Sequence, residues 1–227
     1  MTCNNPFLRG RMALVIAALT LCWASLHAAE QDASLGPQEL VTKVAQDTLK
    51  DLDANREEYR KNPAKLRELV DKHMLPHFDT AYAAQLVLGR HWREASPEQR
   101  KRFIEAFYQS LLLNYGEALL DFTPDRLDIL PYRGKPDDRV ATVRSTVRRD
   151  NGQRVPVNYS LRKTKDGWKA FDVQIEGVSY VRSFRTDFNS EIQQNGLEAV
   201  IKRLEQQVAS GKVEKPTQQP ASGEKGA

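Results

Sequence analysis

The sequence predicts an α+β domain, with N-terminal helices packed on an antiparallel sheet of about four strands. Helical periodicity fills the first half of the chain, and the period-two alternation of strands follows it. Two hairpin turn signals, at 150–152 and 165–167, join the strands in series. The last strand then runs through Gly177 directly into an amphipathic helix. Helices and strands that are segregated along the chain in this way are typical of a layered α+β fold.

Residues 1–28 have the pattern of a secretory signal peptide. Two arginines precede an apolar run at 12–23, which is too short to span a bilayer, and Ala28 supplies a small residue for cleavage. We therefore expect cleavage after Ala28 and export from the cytoplasm into an oxidising compartment. The alternative is a lipoprotein signal, but its cysteine, Cys22, follows Leu21, where that motif needs a small residue.

Composition limits what the mature chain can do. Removing 28 of 227 residues leaves 199, enough for one domain at 29–210, and removes both cysteines, so no disulfide is expected. The signal carries two of the 34 basic residues and no acidic ones, which leaves 32 against 30 and a net charge of +2. A nearly neutral domain without a nucleic-acid motif argues against nucleic acid as a partner. Residues 211–227, rich in Lys, Glu, Gln, Pro and Gly, are predicted to be a disordered tail.

Four helices are predicted before the strands and two after them. Their boundaries come from local signals: Pro63 follows the N-cap residue Asn62, Gly89 ends a short helix, and Ser96 with Gln99 forms a capping box. Apolar residues at spacings of three and four give the helices buried stripes. The predicted helices are 37–55, 63–74, 78–88, 97–120, a helix that Ser179 caps, and 197–208.

The predicted strands are 126–130, 140–149, 155–161 and 168–175. In the third of them, Val157 and Tyr159 alternate with Asn158 and Ser160. Because successive side chains of a strand point to opposite faces, the apolar pair should face the helices and the polar pair should face away from them.

Two histidines suggest a metal pair, because His73 and His77 are four residues apart. Pro76 lies between them and should break the helix that would align them, and no third ligand is evident nearby. We therefore predict surface or helix-end histidines, with no metal and no cofactor.

Asp172 lies inside a strand between Phe171 and Val173, where an apolar pocket would suit a general base. The alternative, which we favour, is a structural carboxylate that pairs with backbone amides or with Arg182 or Arg185. No nucleophile elbow, glycine-rich phosphate loop or Ser/His/Asp pattern is evident. The sequence therefore predicts a protein that is not an enzyme.

A basic stretch covers 139–169, with nine Lys or Arg and two Asp. The ordinary interpretation is a solvated outer face of the sheet. The functional interpretation is a docking face for an acidic partner or for anionic lipid headgroups. The sequence leaves both open.

Two blocks of residues together carry a family resemblance. The first block is Leu75-Pro76, Leu88-Gly89, Trp92, Ser96-Pro97-Glu98-Gln99, Phe103, Phe107, Leu111, Tyr115 and Gly116. The second is Tyr159, Leu161, Gly167-Trp168-Lys169, Phe171-Asp172-Val173, Glu176-Gly177-Val178-Ser179, Phe188 and Gly196. In this order and spacing they resemble the MlaC family of periplasmic phospholipid-binding proteins, also called toluene-tolerance auxiliary proteins. The family usually has WxxYDV where this chain has WKAFDV.

The resemblance implies a curved sheet folded against helices, in a cone related to the nuclear-transport-factor-like fold, which encloses an apolar lipid cavity. It also implies a monomeric periplasmic carrier with phospholipid as cargo. Such a carrier moves lipid between an inner-membrane ABC transporter complex, with its membrane-anchored substrate-binding subunit, and an outer-membrane lipoprotein–porin complex. This transport maintains outer-membrane lipid asymmetry. The alternatives are a carrier of another apolar lipid such as a hopanoid, a small periplasmic enzyme on the same fold, and an adaptor with a solid core.

The resemblance also makes a set of apolar residues the expected wall of the cavity. They are Val70, Tyr82, Leu86, Phe103, Phe107, Leu111, Tyr115, Val143, Val147, Val157, Tyr159, Phe171, Val173, Ile175, Val178, Val181 and Phe184. Six further residues are expected to be structural, namely Trp92, Ser96, Trp168, Asp172, Gly177 and Ser179.

Overall fold

A computed structural model describes residues 34–135 and 137–212. The predicted signal peptide, and the predicted tail beyond residue 212, lie outside the described residues. The helices are α1 (Pro37–Lys61), α2 (Pro63–His73), α3 (Thr80–Leu88), α4 (His91–Glu94), α5 (Pro97–Tyr115), α6 (Tyr180–Asn195) and α7 (Leu197–Ser210). No helix in this part of the chain is long and apolar enough to cross a membrane.

Helix α1 is longer than predicted and is broken where the sequence places its end. Asn55 has the non-helical angles φ −130° and ψ 17°, and the helix resumes beyond it to Lys61. Asn62 then caps α2, because its side chain accepts a hydrogen bond from the N–H of Ala64 at 3.1 Å. The end predicted at 55 is therefore a kink rather than a terminus.

Helix α5 begins at the predicted capping box. The Ser96 hydroxyl accepts from the N–H of Gln99, and the Gln99 side chain accepts from the N–H of Ser96, both at 3.1 Å. The α-helix ends at Tyr115, and the rest of the predicted span continues as the 3₁₀ helix Gly116–Asp121. The helix α4 was not predicted, because four residues are too few to show a period.

The predicted α+β class is confirmed, and the described residues form five antiparallel strands rather than about four. They are β1 (Leu127–Ile129), β2 (Val140–Arg148), β3 (Arg154–Thr164), β4 (Gly167–Ile175) and β5 (Val178–Ser179), paired in chain order. The two residues of β5 are too few to show alternation. A bulge between Ser160 and Leu161 shifts the register of β3 against β4.

The chain passes from sheet to helix through a tight turn between β4 and β5. Gly177 has a positive φ angle of 84°, which glycine adopts without steric cost. Glu176, just before it, also has a positive φ angle, of 53°. Ser179 then caps α6 by accepting a hydrogen bond from the N–H of Arg182 at 3.1 Å. Both roles agree with the turn and cap that the sequence predicts.

Three apolar clusters form the core. The helical cluster joins α3, α5, α6 and α7 through Ala84, Val87, Leu88, Phe103, Ala106, Phe107, Phe188, Ile192, Val200, Ile201 and Leu204. The α1–α2 cluster consists of Leu49, Leu52, Tyr59, Leu66, Leu69, Val70 and Leu120. The sheet cluster consists of Leu40, Ala141, Val143, Leu161 and Trp168. These clusters leave one part of the sheet without a tightly packed cover, and the candidate site lies there.

Candidate functional site

The inner face of the sheet is defined by its register. Val143 of β2 lies opposite Tyr159 of β3, which lies opposite Val173 of β4, so the three form one row across the sheet. The next row on the same face runs from Ser145 through Val157 to Ile175. These two rows pass from a closed environment at β2 to a more open one at β4.

Helix α1 closes the β2 side of this face. Val143 and Leu161 are fully buried, with 0% exposure, and the N-terminal half of α1 packs against their cluster through Leu40, Val41 and Val44. Such tight packing leaves no room for a ligand beside Val143.

The β4 side of the same face stays partly accessible. Tyr159, Val173 and Ile175 are half-buried, although they share their rows with fully buried neighbours on β2 and β3. Apolar side chains that point into a fold yet retain contact with solvent are expected where a cleft enters it.

Helices α5 and α6 add a second group of half-buried apolar residues, and α6 packs against β4. The rings of Tyr115 and Tyr180 meet edge to face at 5.8 Å, and Tyr180 contacts Phe184 at 6.1 Å. Phe184 in turn packs on Phe107 of the helical cluster. Leu111, Tyr115, Tyr180 and Phe184 are all half-buried.

The titratable groups of this region are poorly solvated. Burial raises the pKa of Tyr115 to about 12 and raises the pKa of Tyr180. It also raises the pKa of Tyr159, whose hydroxyl lies within hydrogen-bonding reach of Ser145. Asp187, one turn after Phe184 on α6, has a carboxyl pKa that burial raises above its ordinary value. The surroundings therefore favour neutral side chains and suit an apolar ligand.

The predicted wall residues fall into three environments. The buried ones belong to the packed core: Val70, Phe103, Phe107, Val143 and Val157. The half-buried ones are Tyr82, Leu86, Leu111, Tyr115, Val147, Tyr159, Phe171, Val173, Ile175, Val181 and Phe184. Val178 is 40% exposed on β5, because this short strand ends at the surface before α6 begins. Val178 lies opposite Ile175 of β4, so it continues the inner-face row at the edge of the sheet, and its place in a cavity wall stays a prediction.

Two of the half-buried residues, Tyr82 and Phe171, contact each other where α3 meets β4. Their rings meet edge to face at 5.1 Å, and the Arg162 guanidinium lies over the Tyr82 ring at 4.2 Å. Arg162 also forms an ion pair with Asp79 at 2.7 Å, and Asp79 caps α3 through the N–H of Tyr82 at 3.0 Å. This junction fixes α3 to the edge of the sheet.

The Asp172 carboxylate binds a backbone amide, which is one of the two kinds of partner that the sequence suggests, and a serine hydroxyl in place of the suggested arginines. One oxygen accepts from the Ser179 hydroxyl at 2.6 Å, and the other accepts from the N–H of Val181 at 3.0 Å. Since both oxygens are bound at the start of α6, Asp172 joins β4 to that helix. Arg182 follows the cap, and the Arg185 side chain lies beside Gly89.

The remaining structural candidates lie in the core or at its border. Trp168 is buried, with 7% exposure, in the sheet cluster. Trp92 packs against the helical cluster, and the guanidinium of Arg100 lies over its ring at 5.2 Å.

Of the two histidines that suggested a metal-binding pair, His73 contacts a carboxylate. Its Nε2 lies 2.8 Å from Asp51, which also accepts a hydrogen bond from the Tyr59 hydroxyl at 2.6 Å. The described residues contain no group of three side chains that could hold a metal ion.

Sequence reasoning missed three residues of this region. Ser145 is only 1% exposed on the inner face, where its hydroxyl donates to the carbonyl of Val157 at 2.8 Å. Tyr180 and Asp187 lie on the same side of α6 as Phe184, since they are four residues before it and three after it. The helical spacing from Phe184 could have identified Tyr180 from the sequence. Nothing in the sequence marks the polar residues Ser145 and Asp187 as part of this region.

The fold and the site define a class of protein: an α+β domain whose antiparallel sheet keeps part of an apolar face accessible beside its helices. The MlaC protein family model matches residues 42–206. The chain belongs to the MlaC family, which confirms the resemblance.

Individual relatives agree with this assignment. The chain is 31% identical over 161 residues to the toluene tolerance protein ttg2D of Pseudomonas putida, covering 70% of this chain and 74% of the relative. It is 25% identical over 177 residues to the intermembrane phospholipid transport system binding protein MlaC of Haemophilus influenzae, covering 77% and 83%. A phospholipid-binding protein from Ralstonia solanacearum, solved in complex with a phospholipid, superposes with a TM-score of 0.73 at 28% identity. That match covers 78% of this chain and 99% of the other.

Proposed function

We propose that this protein is a periplasmic phospholipid carrier that moves lipid between outer-membrane and inner-membrane transport complexes. The observation that carries the proposal is the half-buried apolar surface on β4, α5 and α6. The Ralstonia solanacearum protein, which has the same fold, was solved with a phospholipid bound, and the Haemophilus influenzae relative is named for phospholipid transport between membranes.

The physics of the cargo requires an enclosed apolar site. Two acyl chains hold roughly thirty methylenes, and each one that leaves water contributes about 0.8 kcal/mol. A carrier in an aqueous compartment must therefore keep almost all of this surface covered. The inner face of β4, with Val173 and Ile175, supplies one apolar wall, and the α5–α6 aromatics supply the other.

Carriage needs no bond chemistry. Lipid exchanges one apolar environment for another, and a partner needs only to favour the conformation that releases it. Asp172 has both oxygens bound by Ser179 and Val181, which suits a structural role better than that of a free general base. Direction would come from the membrane complexes and from ATP hydrolysis there, because a passive carrier only equilibrates lipid.

The proposal is tested by extracting the purified, exported protein with organic solvent and analysing the extract by mass spectrometry. We expect phospholipid at a near-stoichiometric amount. A hopanoid in its place would identify a different apolar cargo. An extract without lipid, from a protein purified without detergent, would contradict the carrier and favour an adaptor.

Location is tested separately by fractionation and N-terminal analysis. We expect the protein in the soluble periplasmic fraction, starting near Ala29, because Ala28 supplies the cleavage site. Recovery with the membrane, with acyl chains on Cys22, would instead identify a lipoprotein.

A further inference from the structure

Most basic residues of the stretch 139–169 lie at two opposite ends of the sheet, and Arg144 lies between these ends in the middle of β2. At the end formed by the β2–β3 turn, each arginine lies beside a carboxylate. Arg148 is 2.8 Å from Asp125, Arg149 is 3.9 Å from Glu176 and Arg154 is 3.8 Å from Asp128. This end is neutralised within the protein itself.

The other end, at the β3–β4 hairpin, keeps three cations without such partners. In the described part of the chain, Arg139, Lys163 and Lys169 have no carboxylate within ion-pair distance. Arg139 and Lys163 are neighbours across β2 and β3, because the N–H of Lys163 donates to the carbonyl of Arg139 at 2.9 Å. The Lys163 side chain lies on the face of its partner Trp168, whereas Lys169 and Val140 lie on the other face at the same end of the sheet. Lys169 is opposite Arg162, and Arg162 is opposite Val140. We refer to Arg139, Val140, Lys163 and Lys169 as the hairpin-end patch.

Nearby charged groups are already engaged in other contacts. Arg162 is bound to Asp79 at 2.7 Å, and Lys165 lies 3.5 Å from Asp166. The Asp138 carboxylate accepts from the N–H of Lys135 at 2.7 Å. Asp137 and Asp138 precede Arg139, and Arg133 and Lys135 of the same segment balance their two charges. The hairpin-end patch therefore keeps a local positive charge even though the mature domain is nearly neutral.

The patch also contains an uncovered aliphatic side chain. Val140 is 60% exposed, which is more than any other large apolar residue in the described part of the chain. It lies on the outer face, since its neighbour Ala141 is buried on the inner one. An exposed aliphatic side chain at the same end of the sheet as these cations matches the boundary of an anionic bilayer, where phosphates bind the cations and the acyl region accepts the aliphatic group.

We infer that the hairpin-end patch docks the protein on the surface of an anionic phospholipid membrane. Each cation near such a surface strengthens binding about fivefold, so three contribute roughly a hundredfold. Binding of this strength is reversible, as a shuttle needs. Aromatic and arginine anchors, which typify protein–protein hot spots, are scarce in the patch, so a lipid surface fits it better than an acidic protein. As a part of lipid transport this docking rests on the proposed function, but binding to vesicles can be measured without reference to cargo.

The test is co-sedimentation of the full exported protein with vesicles of phosphatidylcholine alone or with about one third phosphatidylglycerol, at about 0.15 M salt. We expect binding only to the anionic vesicles. The triple variant Arg139→Ser, Lys163→Ser, Lys169→Ser should lose it about a hundredfold. The matched control, Arg148→Ser, Arg149→Ser, Arg154→Ser, removes the same charge from the neutralised end and should lose only a few-fold. Val140→Ser should weaken binding several-fold with an unchanged salt dependence.

The inference would be overturned if the parent protein did not bind anionic vesicles, or if the two triple variants lost vesicle binding equally. It would also be overturned if an acidic partner protein needed the patch for binding while vesicle binding did not. The same preparations are extracted for lipid. A parent protein that binds vesicles but holds no lipid would refute the carrier and leave the docking surface intact. A parent protein that holds lipid but does not bind vesicles would refute the docking surface and leave the carrier proposal intact.

Discussion

Strands β2 and β4 present the same face of one sheet in two different environments. Val143 on β2 is fully buried beneath α1, whereas Val173 on β4, in the same row, is half-buried. The side chains are identical and point the same way. What differs is the helix above them and how completely it covers the strand.

The difference follows from how each helix is attached. The N-terminal half of α1 lies on the sheet and packs its own leucines and valines against it. The start of α3 is joined to the sheet by Asp79, whose N–H donates to the carbonyl of Ala170 on β4 and whose carboxylate pairs with Arg162 on β3. The start of α6 is joined to β4 by Asp172 with Ser179. A helix that is attached to the sheet only at its end can leave a space between its remaining turns and the sheet. A helix that packs on the sheet along its length leaves no such space. One half of the sheet is therefore scaffold, and the other half is the proposed wall of the lipid site.

The largest effect is expected from Val143→Glu. A carboxylate there loses its hydration in a packed core with no partner, so the variant should be destabilised by about 4 kcal/mol or more, or fail to fold. Thermal melting by circular dichroism measures the loss. Thr142→Glu, on the exposed opposite face of β2, is the control and should melt close to the parent. A Val143→Glu protein of parental stability would mean that the β2 side is also a cavity.

Val173→Glu, in the same row, should instead separate folding from lipid content. If the β4 side is a cavity, water can enter once lipid has left, so the variant should fold with a loss of about 1 kcal/mol but carry little lipid. Gln174→Glu, one residue along β4 and on the other face, should keep its lipid. Bound lipid is measured by mass spectrometry. Full lipid content in Val173→Glu would place the cargo away from β4.

Asp51→Asn tests the link between α2 and the C-terminal half of α1, the helix whose N-terminal half covers the closed side. Hydrogen bonds from Tyr59, His73, Lys72 and Asn55 lower the pKa of Asp51, with Tyr59 the largest cause. The variant should lose about 2 kcal/mol at neutral pH, because hydrogen bonds to a charged group are the stronger kind.

The pH dependence of this loss has a definite sign. Because the folded pKa of Asp51 lies below its ordinary value of 3.8, the contribution of Asp51 to stability is complete above the unfolded pKa and declines as the pH falls towards the folded pKa. Urea unfolding from about pH 7 to pH 2 should show parent and variant converging in acid. Curves separated equally at every pH would rule out the ionised carboxylate as the cause.

Asp187→Asn, on α6 beside the open side, should give the smallest effect, with the opposite sign. Burial raises the pKa of Asp187, so its ionised form costs stability at neutral pH, and that cost disappears as the pH falls below the unfolded value. The amide should raise the melting temperature by about 1–3 °C at pH 7 and leave it unchanged near pH 3. A variant that melts lower at pH 7 would show that the carboxylate is satisfied there.

The sequence by itself determined the local structure of this protein. Ser96 with Gln99, Asn62 before Pro63 and Ser179 after Gly177 each place a helix start correctly, because caps and turns depend on residues within a few positions of one another. Alternation gave the inner face of β2 and β3 for the same reason. Short elements such as α4 and β5 escaped because they contain less than one full period.

Only the tertiary structure decided which of those inward side chains are sealed and which stay accessible. Val143 and Val173 have the same side chain and the same parity in their strands, so no local signal separates them. Phe103 and Tyr115 likewise share one stripe of α5, yet one is fully buried in the helical cluster and the other is half-buried beside Tyr180. Accessibility depends on which distant helix covers each position, and that is settled by packing between elements far apart in the chain.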